Sequence, residues 1–179
     1  MYYSTTYKSP IGALTLACDG DNLTGLWVEG QKYHGNTVFK QMRDKKDMPV
    51  FNAVKKWLDR YFAGEKPAVS ELSTAPVGNE FRQRVWAILC EIPYGKIITY
   101  KDISEKLAKD LNKQKMSAQA IGGAVGHNPV SIIIPCHRVV GANGSLTGYA
   151  SGIDKKIKLL ELEGVCLSKL FVPKRGTAL

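Results

Sequence analysis

The segment best equipped for chemistry is Cys136-His137-Arg138, which follows the apolar run Ile132-Ile133-Ile134-Pro135. Cysteine reacts as thiolate, and a free thiol with a pKa of about 8.5 needs a base or a positive charge to ionise at neutral pH. A neighbouring histidine can take the proton, directly or through a water, while Arg138 or a helix amino terminus stabilises the anion. In extended chain adjacent side chains point to opposite faces. Direct Cys136–His137 contact therefore requires a turn, and a bridging water is the easier geometry. The same pair also fits a core cysteine beside a capping histidine. The apolar run is expected as a buried strand or extended segment, ended by Pro135.

The other chemistry-bearing residues are more dispersed. Cys18, Cys90 and Cys166 form no CxxC pair with each other or with Cys136, which argues against a structural zinc. They read as structural thiols. His34 and His127 read as surface or capping residues, and Trp27, Trp57 and Trp86 lie on apolar faces and read as core.

Several elements must position these groups. Leu14, Leu16 and Cys18 alternate with Ala13, Thr15 and Ala17, the period of a half-buried strand, and Leu23 to Val28 reads as its antiparallel return after Asp19-Gly20-Asp21-Asn22. Residues 30–48 look polar and irregular. A helix follows with Val50, Val54, Trp57, Leu58 and Tyr61 on one face, ending near Gly64. Residues 65–78, with Pro67 and Pro76, read as a linker. Beyond it, Phe81, Val85, Ile88, Leu89 and Ile92 form a helical stripe closed by Pro93-Tyr94-Gly95. Thr99-x-x-Asp102 predicts a capping box for a second helix carrying Ile103, Leu107 and Leu111. Ser117 is expected to cap a third, running to about His127. The last two helices suggest a helix-turn-helix.

The third helix is almost bare, with Ala118, Ala120, Gly122, Gly123, Ala124 and Gly126. Each glycine costs roughly 0.8–1.0 kcal/mol of helix propensity relative to alanine. Close packing against another helix or close approach to a nucleic-acid groove would each offset that cost.

Composition narrows the class. With 44% apolar and 23% charged residues in a chain of 179, a packed core is expected and wholesale disorder is excluded. No stretch approaches the roughly 20 apolar residues of a membrane span, and Met1 to Lys8 has no apolar signal core. An intracellular, cytoplasmic protein is expected. The net charge of +9 is uneven, +2 over residues 1–75 and +7 over residues 76–179. A polyanion would be drawn to the second half, although a solvated basic surface gives the same count.

The ordered motifs resemble a known family. Gly126-His127-Asn128-Pro129 followed by Pro135-Cys136-His137-Arg138-Val139 is similar to the acceptor site of the O6-alkylguanine-DNA alkyltransferases. Ser9-Pro10-Ile11-Gly12, Pro93-Tyr94-Gly95-Lys96, Thr99-Tyr100, Ile121-Gly122-Gly123-Ala124, Thr147-Gly148-Tyr149 and Leu159-Leu160-x-x-Glu163-Gly164 fall in that family's order. The resemblance implies an α+β protein. A small amino-terminal α/β domain with an antiparallel sheet (residues 1–75) would precede a helical carboxy-terminal domain with a helix-turn-helix (76–170) and a basic tail (171–179).

It also implies a single-turnover DNA repair transferase, a monomer acting on double-stranded DNA through the minor groove, with no membrane and no cofactor. The damaged guanine is flipped out of the stack, and Cys136 attacks its O6-alkyl carbon. By similarity His137 takes the thiol proton through a water, Glu163 orients the imidazole, Tyr100 donates to the guanine, and Asn128 ties down the turn carrying the cysteine. Backbone around Tyr149, Ala150 and Ser151 would hold the base, and Ser117, Ala118, Gly122 and Gly123 would meet the DNA.

Two positions depart from the pattern. Gln119 stands where the family usually carries the arginine that fills the hole left by the base, and Ala150 where some members carry serine. A non-catalytic lesion-recognition protein on the same scaffold is the nearest rival, but such relatives lack the cysteine. A cysteine hydrolase would need an oxyanion hole that nothing in the sequence specifies. A plain helix-turn-helix regulator would leave Cys136-His137 without purpose.

Overall fold

A computed structural model describes residues 1–36, 38 and 42–174. The chain divides into two compact units, Met1–Gly78 with Pro129–Ile133, and Asn79–Asn128 with the chain from Ile134 onward.

The first unit is built on a sheet of strands β1 (Tyr2–Ser9), β2 (Gly12–Cys18), β3 (Leu23–Val28) and β4 (Met42–Asp44), in the order β3-β2-β1-β4. The first three are antiparallel, with Leu14 opposite Val28 and Thr5 opposite Leu16. β4 lies parallel to β1, Tyr3 against Arg43. The expectation of irregular chain over 30–48 thus misses a short strand, whose three residues show too little patterning to announce it.

Helix α1 (Pro49–Phe62) packs on β1–β3. Proline at its start donates no hydrogen bond, which costs nothing where helical N–H groups are unpaired anyway. Phe51, Val54, Trp57, Leu58 and Tyr61 form the buried face, and Val50 is only half-buried.

The run Ile132-Ile133-Ile134 is buried but is no strand. Val130 bridges Leu26, and the chain then turns, with Ile132 at φ +71° and Ile133 N–H donating to Ser131 O at 2.9 Å. An apolar run fixes burial without fixing backbone conformation, so it read as a strand.

The second unit is helical. Helix α2 (Glu80–Cys90) is capped by Asn79, whose side chain accepts from Arg82 N–H. β5 (Ile98–Thr99) leads into α3 (Tyr100–Asp110), where Thr99 and Asp102 form the expected capping box, with bonds of 3.1 and 2.7 Å. Ser117 caps α4 (Ala118–Gly126) by accepting from Ala120 N–H. Ile121, Ala124 and Val125 are its buried residues, and Trp86 Nε1 donates to Ala124 O at 2.9 Å. A 3-10 turn (Cys136–Arg138) precedes β6 (Val139–Val140), which pairs in parallel with β5. Helix α5 (Ile153–Leu162) completes the unit.

All three tryptophans are buried, as expected. Cys18 is buried against Met48, whereas Cys90 and Cys166 are exposed. Reading both of those as structural is corrected: Cys90 ends α2 on its open side. Of the tail, residues 175–179 lie outside the described residues.

Candidate functional site

The backbone around Cys136 is shaped by a tie at the base of its loop. The chain leaves the second unit at Asn128 and re-enters it at Ile134. There Asn128 Nδ2 donates to Ile134 O at 2.7 Å and to Cys136 Sγ at 3.2 Å. One amide therefore closes the loop and touches the sulfur.

The 3-10 turn then carries Cys136, His137 and Arg138 into the interior, all three buried. A thiol and an imidazole thus sit on consecutive buried residues of one turn. His137 Nε2 lies 2.7 Å from Glu163 Oε1, at the end of α5. A carboxylate can only accept, so Nε2 carries the hydrogen and Nδ1 is the basic nitrogen of the neutral ring.

Arg138 completes that clamp instead of facing the sulfur. Its Nε and Nη2 donate to the two oxygens of Glu163 at 2.8 and 2.9 Å, and Nη1 donates to Ile92 O at 2.6 Å. The expectation that Arg138 stabilises the sulfur anion is corrected: its donors go to the Ile92 carbonyl and to Glu163, whose burial would otherwise be costly. Gly95 N–H adds a further bond to Glu163 at 3.1 Å.

The electrostatics follow from burial. Desolvation pushes the Cys136 thiol up, and the Asn128 amide and the Lys156 ammonium pull it back only in part. Burial pushes His137 down despite Glu163, leaving a neutral imidazole at pH 7. Burial alone would raise Glu163, but His137 and Arg138 hold it well below the usual carboxylate range. At rest the centre is therefore thiol, neutral imidazole and carboxylate. Such a set can pass a proton from sulfur to imidazole when an electrophile is in place.

The flanking residues enclose this centre. Tyr100 begins α3, and its hydroxyl donates to Thr147 O at 3.3 Å. Burial raises its phenol to about 12, so it remains a donor. Gly148 has φ +73°, and a Cβ there would lie 2.5 Å from the Tyr100 oxygen. Tyr149 is buried, its ring edge-on to His137 with centroids 6.4 Å apart. Ala150 is half-buried and Ser151 buried. Ser117, Ala118, Gln119 and Gly123 are exposed on α4, and Gly122 is half-buried. They form a separate surface, outside the buried cluster around Cys136. His127 Nδ1 meets Gly123 O at 2.7 Å, a capping contact.

Sequence reasoning missed Lys156. It lies on α5 within a stripe of Ile153, Ile157 and Leu160, and it is completely buried. A lone lysine inside an i, i+3, i+4, i+7 apolar stripe was the available signal.

The comparisons agree with one another. Residues 80–165 match the family model "6-O-methylguanine DNA methyltransferase, DNA binding domain", and residues 1–76 match "6-O-methylguanine DNA methyltransferase, ribonuclease-like domain". A methylated-DNA–protein-cysteine methyltransferase of Methanosarcina acetivorans is 44% identical over 174 residues, 93% of this chain and 100% of that protein. One from Haemophilus influenzae is 40% identical over 163 residues, 91% and 87% of the two chains. The crystal structure of Mycobacterium tuberculosis OGT in complex with DNA superposes with a TM-score of 0.74 at 40% identity, covering 94% of each chain. With both halves matched, the chain belongs to the 6-O-methylguanine DNA methyltransferase family.

Proposed function

We propose that this chain is a DNA repair transferase that moves the alkyl group of an O6-alkylguanine, flipped out of duplex DNA, irreversibly to Cys136. The observation that carries this reading is a buried thiol held by Asn128 on the same turn as an imidazole whose tautomer Glu163 fixes. Its relatives' names support the substrate class, since they describe methylated-DNA–protein-cysteine methyltransferases.

In the reaction the sulfur attacks the alkyl carbon in line with O6. The S–C bond forms as the C–O6 bond breaks, and the electron pair leaves with the guanine. His137 takes the thiol proton through a water, and Glu163 and Arg138 hold the imidazolium in place. Tyr100 donates to the guanine ring and neutralises the leaving anion. The imidazolium returns a proton to the phenolate through water, so the site ends neutral. The backbone of Tyr149, Ala150 and Ser151 holds the flipped base. A thioether is a poor electrophile, so each molecule reacts once.

Helices α3 and α4 serve as the helix-turn-helix, with α4 in the minor groove. Its glycines support this. A Cβ at Gly122, Gly123 or Gly126 would meet nothing within 4 Å, so internal packing does not demand them, while close approach of a sugar-phosphate chain would. Among the described residues no helix is long and apolar enough to cross a membrane, in keeping with a cytoplasmic location.

Intact-mass analysis after mixing with duplex DNA containing O6-methylguanine tests the reading. A single methyl-sized gain is expected in the native chain and none in Cys136→Ser. Equal gains, or none in either, would overturn it.

A further inference from the structure

Lys156 is buried completely, yet both of its hydrogen bonds go to backbone carbonyls rather than to a carboxylate: Val139 O at 2.6 Å and Thr147 O at 2.7 Å. A buried ammonium with only carbonyl partners is expensive. Methionine would fill the same stripe of α5 without that cost, so the charge or the donors need a reason.

The Thr147 carbonyl supplies one. It accepts from Lys156 Nζ and from the Tyr100 hydroxyl together. A carbonyl has two lone pairs; Thr147 is half-buried, and an acceptor shut away from water without any donor costs about 1–3 kcal/mol. The glycine that follows, Gly148, lies directly against the Tyr100 oxygen, so the phenol is held over this peptide at rest. When Tyr100 turns to a substrate, Thr147 O loses one donor. Lys156 is the donor that stays.

We propose that Lys156 is a positioning residue for the transfer, holding the half-buried Thr147 carbonyl so that Tyr100 can turn its O–H to the departing guanine without leaving that acceptor unpaired. This rests on alkyl transfer to Cys136. Because Lys156 is also close enough to Cys136 to act on it electrostatically, the test must separate the Tyr100 path from an effect on the sulfur.

Two electrophiles do so. O6-benzylguanine releases a base that needs a donor, whereas iodoacetamide releases iodide, which needs none. Because Cys90 and Cys166 are exposed to iodoacetamide as well, rates at Cys136 are measured by mass analysis of the peptide that carries it, for the native protein, Lys156→Met, Lys156→Gln, Tyr100→Phe and the Lys156→Met/Tyr100→Phe pair. The ratio of benzylguanine rate to iodoacetamide rate is expected to fall about tenfold in Lys156→Met and in Tyr100→Phe, and no further in the double variant, as coupled neighbours behave. Lys156→Gln keeps a neutral donor, so its ratio should stay within about threefold of native even if both rates drop together. Should Lys156→Met fail to fold, Lys156→Gln decides alone: a tenfold fall in its ratio overturns the proposal. So does an equal slowing of both reagents in Lys156→Met, or multiplied effects in the double variant. If the native protein takes iodoacetamide at Cys136 but never benzyl from benzylguanine, it is the transfer reading that fails instead.

Discussion

His137 and Glu163 are 26 positions apart in sequence, yet Nε2 and Oε1 lie 2.7 Å apart with both side chains fully buried. Arg138, the next residue after the histidine, binds both oxygens of the same carboxylate. The carboxylate is therefore the hub of the site. It sets the imidazole's tautomer, and it is the counter-charge that permits an arginine in the interior.

Replacing Glu163 should expose both roles through pH. Its folded pKa is depressed, so its stabilisation is complete above the unfolded value of about 4.3 and lost as pH falls through the folded one. His137 is also depressed. Below about 6.5 the unfolded chain binds a proton there that the folded chain refuses, which again favours unfolding in acid. Urea unfolding of the native chain should therefore weaken steadily from pH 7 to pH 3. Glu163→Gln leaves Arg138 buried without its anion and should cost about 3–5 kcal/mol at pH 7. The variant's further loss between pH 5 and pH 3 should be smaller than the native one. Equal acid slopes in the two proteins would refute the assignment.

The rate of transfer from free benzylguanine should have an unusual pH profile. Burial keeps the thiol protonated and the imidazole neutral together. A sulfur that ionised on its own would react tenfold faster for each pH unit up to its raised pKa. A sulfur that hands its proton to His137 during attack should instead hold a level rate from about pH 7.5 to 6.5, below the Lys156 ammonium that burial lowers to about 8, and fall only below the ordinary histidine value. His137→Ala should be slower throughout and regain the steep climb. A steep climb in the native protein would exclude the relay.

What the sequence made legible was local. The capping box of Thr99 and Asp102 and the Ser117 cap announced two helix starts, because each is settled within four residues. Trp57 and Tyr61 recur at helical spacing, so α1 was readable. The cysteine and histidine of the site stood out by residue type and adjacency, and the asparagine and glutamate came from motif resemblance. What stayed hidden depended on partners far along the chain. Nothing near Arg138 says that its fork meets a carboxylate 25 residues away. Ile132 takes a positive φ inside an apolar run because tertiary burial overrides the local preference of a β-branched residue. Among Lys155, Lys156 and Lys158, only the position of the α5 stripe distinguishes the buried one.

Two glycines with the same backbone angle separate strain from collision. Gly148 and Gly164 both have φ +73°, but a Cβ at Gly148 meets the Tyr100 oxygen at 2.5 Å while one at Gly164 meets nothing within 4 Å. Gly164→Ala should cost about 1 kcal/mol in thermal unfolding, from backbone strain alone. Gly148→Ala should cost about 2–3 kcal/mol and slow benzylguanine transfer, because Tyr100 must move. Tyr100→Phe in the Gly148→Ala background should recover part of the lost stability. Identical costs at the two glycines would mean that the Tyr100 hydroxyl does not rest over Gly148.

Gln119 is exposed in the first turn of α4, free of any demand from the core. The arginine that the resemblance places there is longer and charged. Gln119→Arg should speed repair of O6-methylguanine in duplex DNA more than reaction with free benzylguanine, since only the duplex leaves a hole where the base was. Equal acceleration with both substrates would assign the arginine a general electrostatic effect.

The open glycines of α4 yield a prediction in which stability and function part company. Nothing among the described residues occupies the space a methyl group would take at Gly122 or Gly123, and both lie within the helix. Alanine there should stabilise the protein by about 0.5–1 kcal/mol per site, by raising helix propensity and restricting the unfolded chain. Were the glycines merely tolerated, activity would be unchanged. If α4 lies against a sugar-phosphate backbone, each added methyl holds the helix away from it. Gly123→Ala should then weaken duplex binding and slow duplex repair by about tenfold, the cost of an overpacked contact of 1–3 kcal/mol, while transfer from free benzylguanine stays at the native rate. A more stable protein with native duplex affinity would show that α4 meets DNA elsewhere or not at all.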